Sequence, residues 1–338
     1  MYNFAITGVA GYIAPRHLRA IKDTGNHLLA ACDPHDSVGI LDSFYPDAAF
    51  FTEIERFDRH LEKQRRRDPS KRLDFMTICS PNHLHDAHVR LALRLDASAI
   101  CEKPLVLKPS NLDYLQQLER EHPGTVNTVL QLRVHPKLLE LRKKLRAEAG
   151  GLHSNGHSNG HSEGHSNGHA KRHSIRLTYI TSRGTWYKYS WKGDEEKSGG
   201  VVTNIGIHFF DMLMWLFGPV VQNRVHVREA ERVGGTMELG NADVQWFLSI
   251  DENDLPAEAA GRRTYRSITV DDEEIEFSGG FTDLHTRVYE ETLAGRGFSI
   301  ADARPAIELV HSIRQDRLTA PTADAHPLVR PGMVALAA

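Results

Sequence analysis

The stretch Asn-Phe-Ala-Ile-Thr-Gly-Val-Ala-Gly-Tyr-Ile-Ala, residues 3–14, decides the fold of this chain. Its first five residues form a compact run typical of a buried strand, and the glycines mark a turn before a segment with helical spacing. Glycine lets a backbone approach a pyrophosphate closely and directs amide N–H groups and a helix N-terminus at its charge. The pattern therefore predicts half of a dinucleotide-binding fold, with the cofactor residues Gly8, Gly11, Tyr12 and Ile13.

A second apolar strand, residues 27–32, supports this prediction. The glycine spacing is G-x-x-G-x-x-A instead of the common G-x-G-x-x-G, so by itself it also fits a plain strand-to-helix turn. The strand ends at Asp33, where the dinucleotide pattern expects an acid for the adenosine ribose hydroxyls. An acid there repels a 2′-phosphate, which favours NAD over NADP, with Asp36 as a further contact. The alternative for Asp33 is a cap or turn acid in residues 33–37.

A third apolar strand, residues 73–79, is followed by polar side chains. In an open parallel sheet, ligands gather at the carboxyl ends of the strands, so Ser80, Asn82 and His85 are predicted to face the cofactor. The three histidines in residues 83–88 do not predict a metal site, because no cysteine or carboxylate completes a ligand set at fitting spacing.

Composition excludes several classes of protein. The chain has 338 residues and a formal net charge of -3, with no basic face interleaved with aromatics, so no nucleic-acid partner is expected. No membrane span or signal peptide is expected either, because no apolar run approaches roughly 18 to 20 residues. Three cysteines, each at the end of an apolar run, predict buried free thiols in a cytoplasmic protein.

The stretch Cys-Glu-Lys-Pro-Leu, residues 101–105, places an ionisable amine at a strand end. A lysine beside an acid at such a place can be tuned towards a base that works near neutral pH. The alternative is an ion pair between Lys103 and Glu102, or a surface lysine. About a hundred residues later, residues 204–211 read Asn-Ile-Gly-Ile-His-Phe-Phe-Asp. The alternative for His208 is a structural histidine on an apolar helix.

Together, the glycine-rich start, the Glu102-Lys103-Pro104 motif and the Gly206-x-His208-x-x-Asp211 motif resemble the Gfo/Idh/MocA family of NAD(P)-dependent sugar oxidoreductases. Within it, residues 11–17, 179–184, 191–194 and 280–285 resemble the WlbA/WbpB type, the UDP-N-acetyl-2-amino-2-deoxyglucuronate 3-dehydrogenases. The resemblance implies an α/β protein. An N-terminal Rossmann dinucleotide-binding domain, residues 1–132, would precede a C-terminal α/β domain with a large, mostly antiparallel sheet, residues 133–338.

The resemblance also implies a reaction, the NAD-dependent oxidation of the sugar 3-hydroxyl of UDP-N-acetylglucosaminuronic acid in surface polysaccharide (O-antigen) synthesis. Lys103 would take the hydroxyl proton, and His208 would hydrogen-bond the same hydroxyl or shuttle its proton. Glu102 and Lys103 would also contact the cofactor. Asn204 stands where many members carry aspartate, so it is expected to hydrogen-bond the substrate or the lysine.

A uronate and a diphosphate both need cationic or amide donors. The candidates are Gln131, which also follows the last predicted Rossmann strand and is expected to contact the cofactor, and Arg183, Lys188 and Lys192. For the cations, a surface position is the alternative. The family resemblance further suggests 2-oxoglutarate as a hydride acceptor, and a homodimer or homotetramer formed through the second-domain sheet.

Residues 153–169 repeat His-Ser-Asn-Gly and predict a flexible loop over residues 151–173. The repeat is either a metal-sequestering tract or a tolerated expansion, and the expansion is favoured because doubling a loop costs roughly 0.6 kcal/mol. Two other functions therefore remain open: another sugar or polyol dehydrogenase of the same family, and a metal-binding protein on an inert scaffold.

Overall fold

The computed structural model of the protein describes residues 1–151, 171–259, 261–275 and 283–329. The predicted flexible loop falls almost wholly outside these ranges. Of its residues, Gly151 ends a helix and His173 begins a strand, whereas the His-Ser-Asn-Gly repeat itself lies outside the described residues.

Strands and helices alternate through the first part of the chain, and strands predominate later. The strands are β1 (Asn3–Thr7), β2 (His27–Cys32), β3 (Ala49–Phe51), β4 (Phe75–Ile78), β5 (Ser98–Cys101), β6 (Val126–Thr128), β7 (His173–Thr181), β8 (Val220–Arg228), β9 (Arg232–Leu239), β10 (Ala242–Ser249), β11 (Thr264–Val270) and β12 (Glu273–Glu274). The helices are α1 (Ala14–Asp23), α2 (Ile40–Phe44), α3 (Ile54–Arg67), α4 (His85–Arg94), α5 (Pro109–Glu121), α6 (Pro136–Gly151), α7 (Trp186–Tyr189), α8 (Glu195–Ser198), α9 (Ile207–Phe217), α10 (Leu284–Leu293) and α11 (Ile300–Gln315).

The first sheet is parallel throughout, with the strand order β3-β2-β1-β4-β5-β6. Its strands carry nearly uninterrupted apolar residues, because helices cover both faces of such a sheet. Phe4 and Ile6 of β1 are fully buried. The strand order reverses beside β1, which places the ligand crevice of a doubly wound sheet at the carboxyl ends of β1 and β4. The predicted Rossmann architecture is confirmed.

The second sheet has the order β12-β11-β7-β10-β9-β8. Strands β7 and β10 pair in parallel and the other neighbours pair antiparallel, which confirms the mostly antiparallel sheet. One face is covered: His173, Ile175 and Leu177 of β7 are buried, whereas Ser174 and Arg176 between them are exposed. This alternation is typical of a sheet with one face towards a core.

Two compact units divide the chain. The first comprises Met1–Gln131, Thr185–His208 and Phe281–His311, and the second comprises Leu132–Gly184, Phe209–Gly280 and Ser312–Ala338. The chain returns to the first unit because helix α10 packs on α1, and because Arg304 of α11 pairs with Asp113 of α5. The single division after residue 132 stays a prediction, and the first unit also takes in two later segments.

The three thiols, of Cys32, Cys79 and Cys101, are buried and free. Among the described residues, the helical stretch Glu195–Phe217 is long and apolar enough to cross a membrane, with 23 residues and a hydropathy of 1.4. The sequence analysis had predicted that no segment of the chain would be long and apolar enough for this. It is 67% buried within the protein, and the core helix of a globular protein passes the same test of length and composition.

Candidate functional site

The glycine turn after β1 packs against the end of β4. Gly8 has φ +78, and a Cβ built on it would lie 2.5 Å from backbone atoms of Cys79 and Ser80. Its N–H donates to the Cys32 carbonyl over 2.8 Å, and the Gly11 N–H donates to the Gly8 carbonyl over 3.0 Å. Glycine is therefore required at position 8 both by its positive φ and by the close approach of a neighbouring strand end.

Asp33 holds this turn in place. Its Oδ2 accepts from the Ala10 N–H over 3.0 Å and its Oδ1 accepts from the His35 N–H over 2.9 Å, and the residue is buried. This is the turn role that the sequence offered as the alternative. Each carboxylate oxygen keeps a further lone pair for a ribose hydroxyl, so the cofactor role stays a prediction. Asp36 and Tyr12 are exposed, and Ile13 is half-buried.

The predicted cofactor residues after β4 are buried and hydrogen-bonded within the protein. Ser80 Oγ lies 2.8 Å from His88 Nδ1, and Asn82 Nδ2 donates to the Ser198 carbonyl over 2.9 Å. The two ring nitrogens of His85 lie 2.7 Å from the Pro104 carbonyl and 2.8 Å from the Ser80 carbonyl. Burial lowers the pKa of His85, and the hydrogen bonds to these two carbonyls partly offset that effect. Their contact with the cofactor stays a prediction.

Three buried oxygens at the carboxyl edge of the first sheet have no hydrogen-bond partner among the residues that the structure describes. They are Oγ1 of Thr7 at the end of β1, Oγ1 of Thr128 at the end of β6, and Oε1 of Gln131 shortly after β6. Buried polar atoms in proteins are nearly always paired, so unpaired ones at a ligand edge fit a polar group that binds there. Together with the glycine turn, these atoms fit NAD.

Lys103 follows β5 and is half-buried. Its Nζ donates to the backbone carbonyl of Asn204 over 3.0 Å, and its backbone N–H donates to Glu102 Oε2 over 3.2 Å. The peptide bond between Lys103 and Pro104 is cis. Both ends of the lysine are therefore held by oxygens, and its amine lies at a carbonyl of a segment about a hundred residues later in the chain.

That segment is a π-helical turn, Val202–Gly206, which directly precedes α9. Such turns are frequent at functional sites. The Asn204 side chain donates from Nδ2 to the hydroxyl of Tyr187 over 2.8 Å. The sequence analysis expected Asn204 to hydrogen-bond the substrate or the lysine. The contact with the lysine is made by the backbone carbonyl and not by the side chain, and the substrate contact stays a prediction. His208 is half-buried and lies in the first turn of α9.

Asp211, the last residue of the second motif, forms an ion pair that the sequence analysis did not predict. Arg133 donates from Nε and Nη2 to its two carboxylate oxygens over 3.0 and 2.7 Å. The side chains of Arg133 and Asp211 are only 10% and 4% exposed, so the pair is largely removed from water. Asp211 thereby connects α9 to Arg133, and both residues of the pair lie in the second unit.

The cationic side chains that the sequence offers for substrate binding are more exposed than the buried Arg133–Asp211 pair. Lys192 is half-buried, and its Nζ lies 5.4 and 5.5 Å from the ring centroids of Trp186 and Trp191. Arg183, in the second unit, is exposed, and its backbone N–H donates to the Ile250 carbonyl over 3.1 Å. Lys188 is also exposed. Their contact with substrate stays a prediction.

A buried hydrogen-bonded cluster lies behind the Lys103 motif. Oε1 of Glu102 is 2.9 Å from Nε2 of His17 and 3.0 Å from Nε2 of His285, and all three residues are buried. Sequence reasoning missed the two histidines. The available signal was that each lies in a stretch that matches the subfamily, residues 11–17 and residues 280–285.

Two family models match this chain. The model of the Gfo/Idh/MocA oxidoreductase family, NAD-binding Rossmann fold, matches residues 2–129, and the model of the family's C-terminal alpha/beta domain matches residues 173–252. A curated relative, the D-glucoside 3-dehydrogenase of Escherichia coli K12, is 23% identical over 167 residues. That match spans 49% of this chain and 42% of the length of the relative.

Solved structures extend the similarity to almost the whole chain. The WlbA (WbpB) dehydrogenase from Thermus thermophilus in complex with NAD and alpha-ketoglutarate is 49% identical, with a TM-score of 0.86, over 97% of this chain and 99% of that chain. A second structure of the same dehydrogenase, with NAD and UDP-GlcNAcA, is 48% identical with the same coverage and TM-score. The WlbA dehydrogenase from Bordetella pertussis shares the fold at 16% identity, with a TM-score of 0.71 over 94% and 97% of the chains. The chain belongs to the Gfo/Idh/MocA oxidoreductase family and is an NAD-dependent dehydrogenase.

Proposed function

We propose that this dehydrogenase oxidises the 3-hydroxyl of UDP-N-acetylglucosaminuronic acid to the 3-keto sugar. The relative from Thermus thermophilus, 48% identical over almost the whole chain, was crystallised with NAD and UDP-GlcNAcA, which supports this substrate. Within this chain, one observation carries the proposal. The amine of Lys103 is held by the Asn204 carbonyl just beyond the carboxyl end of a Rossmann strand, where a substrate meets the cofactor.

The cofactor would be held by the glycine turn at Gly8 and Gly11, by Asp33, and by the unpaired Oε1 of Gln131. When bound, NAD supplies the acceptor for the hydride that leaves the sugar carbon. The residues of the chain then have to orient the hydroxyl and take its proton, because a secondary alcohol loses one hydride and one proton on oxidation.

Lys103 acts as the general base in this proposal. Its neutral amine takes the hydroxyl proton and becomes an ammonium ion, and proton transfer needs the amine within about 3 Å of the hydroxyl oxygen. The Asn204 carbonyl contributes in two ways: it fixes the amine in one direction, and its dipole stabilises the positive charge that develops on the nitrogen. His208, four residues beyond Asn204, hydrogen-bonds the same hydroxyl.

We propose 2-oxoglutarate as the acceptor that completes the cycle, because the Thermus thermophilus relative was also crystallised with alpha-ketoglutarate. The reduction of 2-oxoglutarate uses the same proton and hydride transfers as the oxidation of the sugar, in the opposite direction. The keto carbon of 2-oxoglutarate takes the hydride, and its oxygen takes the proton that Lys103 gained from the sugar, which gives 2-hydroxyglutarate. One lysine thus serves as base in the first half and as acid in the second.

The uronate and diphosphate groups of the substrate require cations. Lys192 is the candidate in the first unit, since its ammonium lies beside two indole rings in a segment that also contains the exposed Tyr189. For Arg183, contact with the substrate stays a prediction from the sequence.

The test is the absorbance at 340 nm of purified protein with NAD and UDP-N-acetylglucosaminuronic acid, with and without 2-oxoglutarate. We expect NADH to form at about the wild-type rate in Lys63→Met, a matched loss of an exposed lysine on α3, and at a residual rate about 1,000-fold lower in Lys103→Met. A burst of about one equivalent per site that 2-oxoglutarate converts into turnover would support the recycling step. If folded, NAD-binding protein forms no NADH, the substrate assignment is wrong, and polyols and other sugars become the candidates.

We further propose a cytoplasmic homo-oligomer, a dimer or tetramer, whose product enters surface polysaccharide (O-antigen) sugar synthesis, without nucleic-acid or membrane partners. The three buried free thiols support a reducing compartment. The open face of β7 in the second sheet supports assembly through that sheet. Light scattering of the purified protein would give the oligomeric state, and a monomeric mass at micromolar concentration would refute assembly.

A further inference from the structure

The cluster behind Lys103 joins three segments that are far apart in the chain. His17 lies on α1, Glu102 follows β5, and His285 lies on α10. Both histidines contact the same carboxylate oxygen, Oε1, over 2.9 and 3.0 Å, and their rings meet edge to face with centroids 4.9 Å apart. The other oxygen, Oε2, accepts the backbone N–H of Lys103 over 3.2 Å. One carboxylate oxygen thus contacts the two histidines, and the other contacts the Lys103 backbone.

The charge state of Glu102 sets the direction of the hydrogen bonds to its carboxylate. Burial raises the pKa of Glu102, but the hydrogen bonds from His17 and His285 outweigh it and hold that pKa well below its usual value. The ionised carboxylate only accepts, so both Nε2 atoms carry hydrogen. Burial lowers the pKa of His17 more than Glu102 raises it, so this ring is neutral and its Nδ1 is an acceptor.

Two further buried hydroxyls secure the tautomer of His17. The Tyr289 hydroxyl lies 2.9 Å from His17 Nδ1, to which it must donate because that nitrogen carries no hydrogen. The Thr77 hydroxyl lies 2.8 Å from the Tyr289 oxygen and donates to it in turn. The chain of donors runs from Thr77 through Tyr289 and His17 to Glu102, so the Nε2–H of His17 is directed at the carboxylate.

The distances favour hydrogen bonds over a metal ion. Two imidazoles and a carboxylate are a plausible ligand set, and the three groups lie within 4.8 Å of one another. Tetrahedral ligands at about 2.0 to 2.1 Å from zinc would be roughly 3.3 Å apart. The separations of 2.9 and 3.0 Å are those of N–H···O hydrogen bonds.

We propose that His17 and His285 are positioning residues for the base Lys103 and act through Glu102. Both histidines donate a hydrogen bond to Oε1 and thereby fix the orientation of the carboxylate. In this orientation Oε2 accepts the backbone N–H of Lys103. Lys103 is then fixed by two hydrogen bonds, one from its backbone N–H to Glu102 and one from its amine to the Asn204 carbonyl. This inference rests on the proposed role of Lys103.

The matched test pair is His285→Leu and His285→Gln. Leucine removes the donor to Oε1, whereas the amide nitrogen of glutamine keeps a donor at a similar reach. We expect kcat to fall about 10- to 100-fold in His285→Leu, the range that follows from a misplacement of about 1 Å. The KM for the sugar and the Kd for NAD should stay within about threefold, and His285→Gln should recover most of the lost kcat. A general structural defect would move all three constants together and would not distinguish the two variants.

Failure of this inference is distinguishable from failure of the proposed function by a double-mutant cycle with Lys103→Met. If His285 acts through Lys103, His285→Leu causes no further loss in the Lys103→Met background. Wild-type kcat in His285→Leu, or a loss that adds fully to that of Lys103→Met, overturns the positioning role alone. A wild-type protein that forms no NADH, or a fully active Lys103→Met, overturns the proposed function as well.

If His285→Leu does not fold, Tyr289→Phe provides a second kinetic test of the proposal. Tyr289→Phe keeps the buried ring but removes the donor to His17 Nδ1, so the Nε2–H tautomer loses its support. We expect a two- to fivefold fall in kcat at unchanged KM, and an unchanged kcat would count against the inference. Elemental analysis of the purified protein is the control for the alternative: one equivalent of zinc, lost in His17→Leu, would replace the hydrogen-bonded cluster by a metal site.

Discussion

Two lysines of the first unit, Lys103 and Lys192, are held by different kinds of contact. The amine of Lys103 donates to a carbonyl over 3.0 Å, and its backbone is tied to a buried carboxylate. The amine of Lys192 lies 5.4 and 5.5 Å from the centroids of two indole rings. One of these rings, that of Trp186, is 56% exposed.

The difference indicates two functions. A hydrogen bond to a carbonyl fixes an amine in direction and distance, as proton transfer requires. A cation–π contact extends to about 6 Å and is worth about 0.5 to 1 kcal/mol at exposed sites, so it sets direction and distance less tightly. Lys103 is therefore suited to move a proton, and Lys192 is suited to balance the charge of a carboxylate or diphosphate.

The largest expected effect comes from exchanging each lysine for arginine. A guanidinium group stays protonated at any working pH and cannot serve as a base, so Lys103→Arg should lower kcat about 1,000-fold. Arginine also stacks on aromatic faces, so Lys192→Arg should stay within about threefold of wild type. Steady-state NADH formation measures both. A greater loss in Lys192→Arg than in Lys103→Arg would reverse the assignment of the two roles.

A second prediction concerns His88, a half-buried histidine of α4 in the first unit. The Lys192 segment, residues 186–192, contains no histidine and offers no counterpart. Burial, together with the neighbouring His85 and His83, lowers the pKa of His88 to about 4, and its Nδ1 contacts the Ser80 hydroxyl. The folded state thus resists protonation that the unfolded state accepts near pH 6.5. Stability from this group is complete above about pH 6.5 and is lost as the pH falls towards 4.

Urea unfolding at pH 7.5 and 4.5 tests this prediction. Between these values, wild type should lose up to about 3 kcal/mol more than His88→Asn, whose amide oxygen can still accept from Ser80 but does not titrate. The other histidines are common to both proteins, so their contributions cancel in the difference. Equal losses in the two proteins would mean that His88 is protonated without cost in the folded state.

The first sheet could be predicted from the sequence because its signals are local. Buried parallel strands such as residues 27–32 are uninterrupted apolar runs, and Gly8 directly follows the strand whose turn requires it. The position of Lys103 at a strand end follows from the same reasoning. These predictions needed only neighbours within a few residues.

The contacts that organise the site are not local, and this explains what was missed. Glu102 is 85 residues from His17 and 183 residues from His285, and Arg133 is 78 residues from Asp211. Pairing over such separations leaves no periodic pattern in one sequence. The role of Asp33 also depended on a nonlocal contact, the hydrogen bond from the Ala10 backbone across the glycine turn.

A third prediction concerns the carbonyl that holds Lys103. Tyr187 is buried, and its hydroxyl accepts from Asn204 Nδ2 over 2.8 Å, so Tyr187→Phe should loosen the π-helical turn. One hydrogen bond of ordinary strength corresponds to a fall in kcat of up to about tenfold. Tyr189→Phe is the matched control, because Tyr189 is 87% exposed and lies two residues away. Identical kinetics of the two variants would show that Asn204 needs no support from Tyr187.

The smallest expected effect lies at Lys192. Trp186→Leu removes one of its two aromatic faces, and a loss of about 0.5 to 1 kcal/mol should raise the KM for the nucleotide sugar about two- to fivefold. Trp186→Phe, which keeps an aromatic face, should show a smaller rise. In both variants kcat should be unchanged, because a lysine that binds charge contributes equally before and during the reaction. A fall in kcat at constant KM would instead place Lys192 among the groups that act on the reacting atoms, and the contrast with Lys103 would disappear.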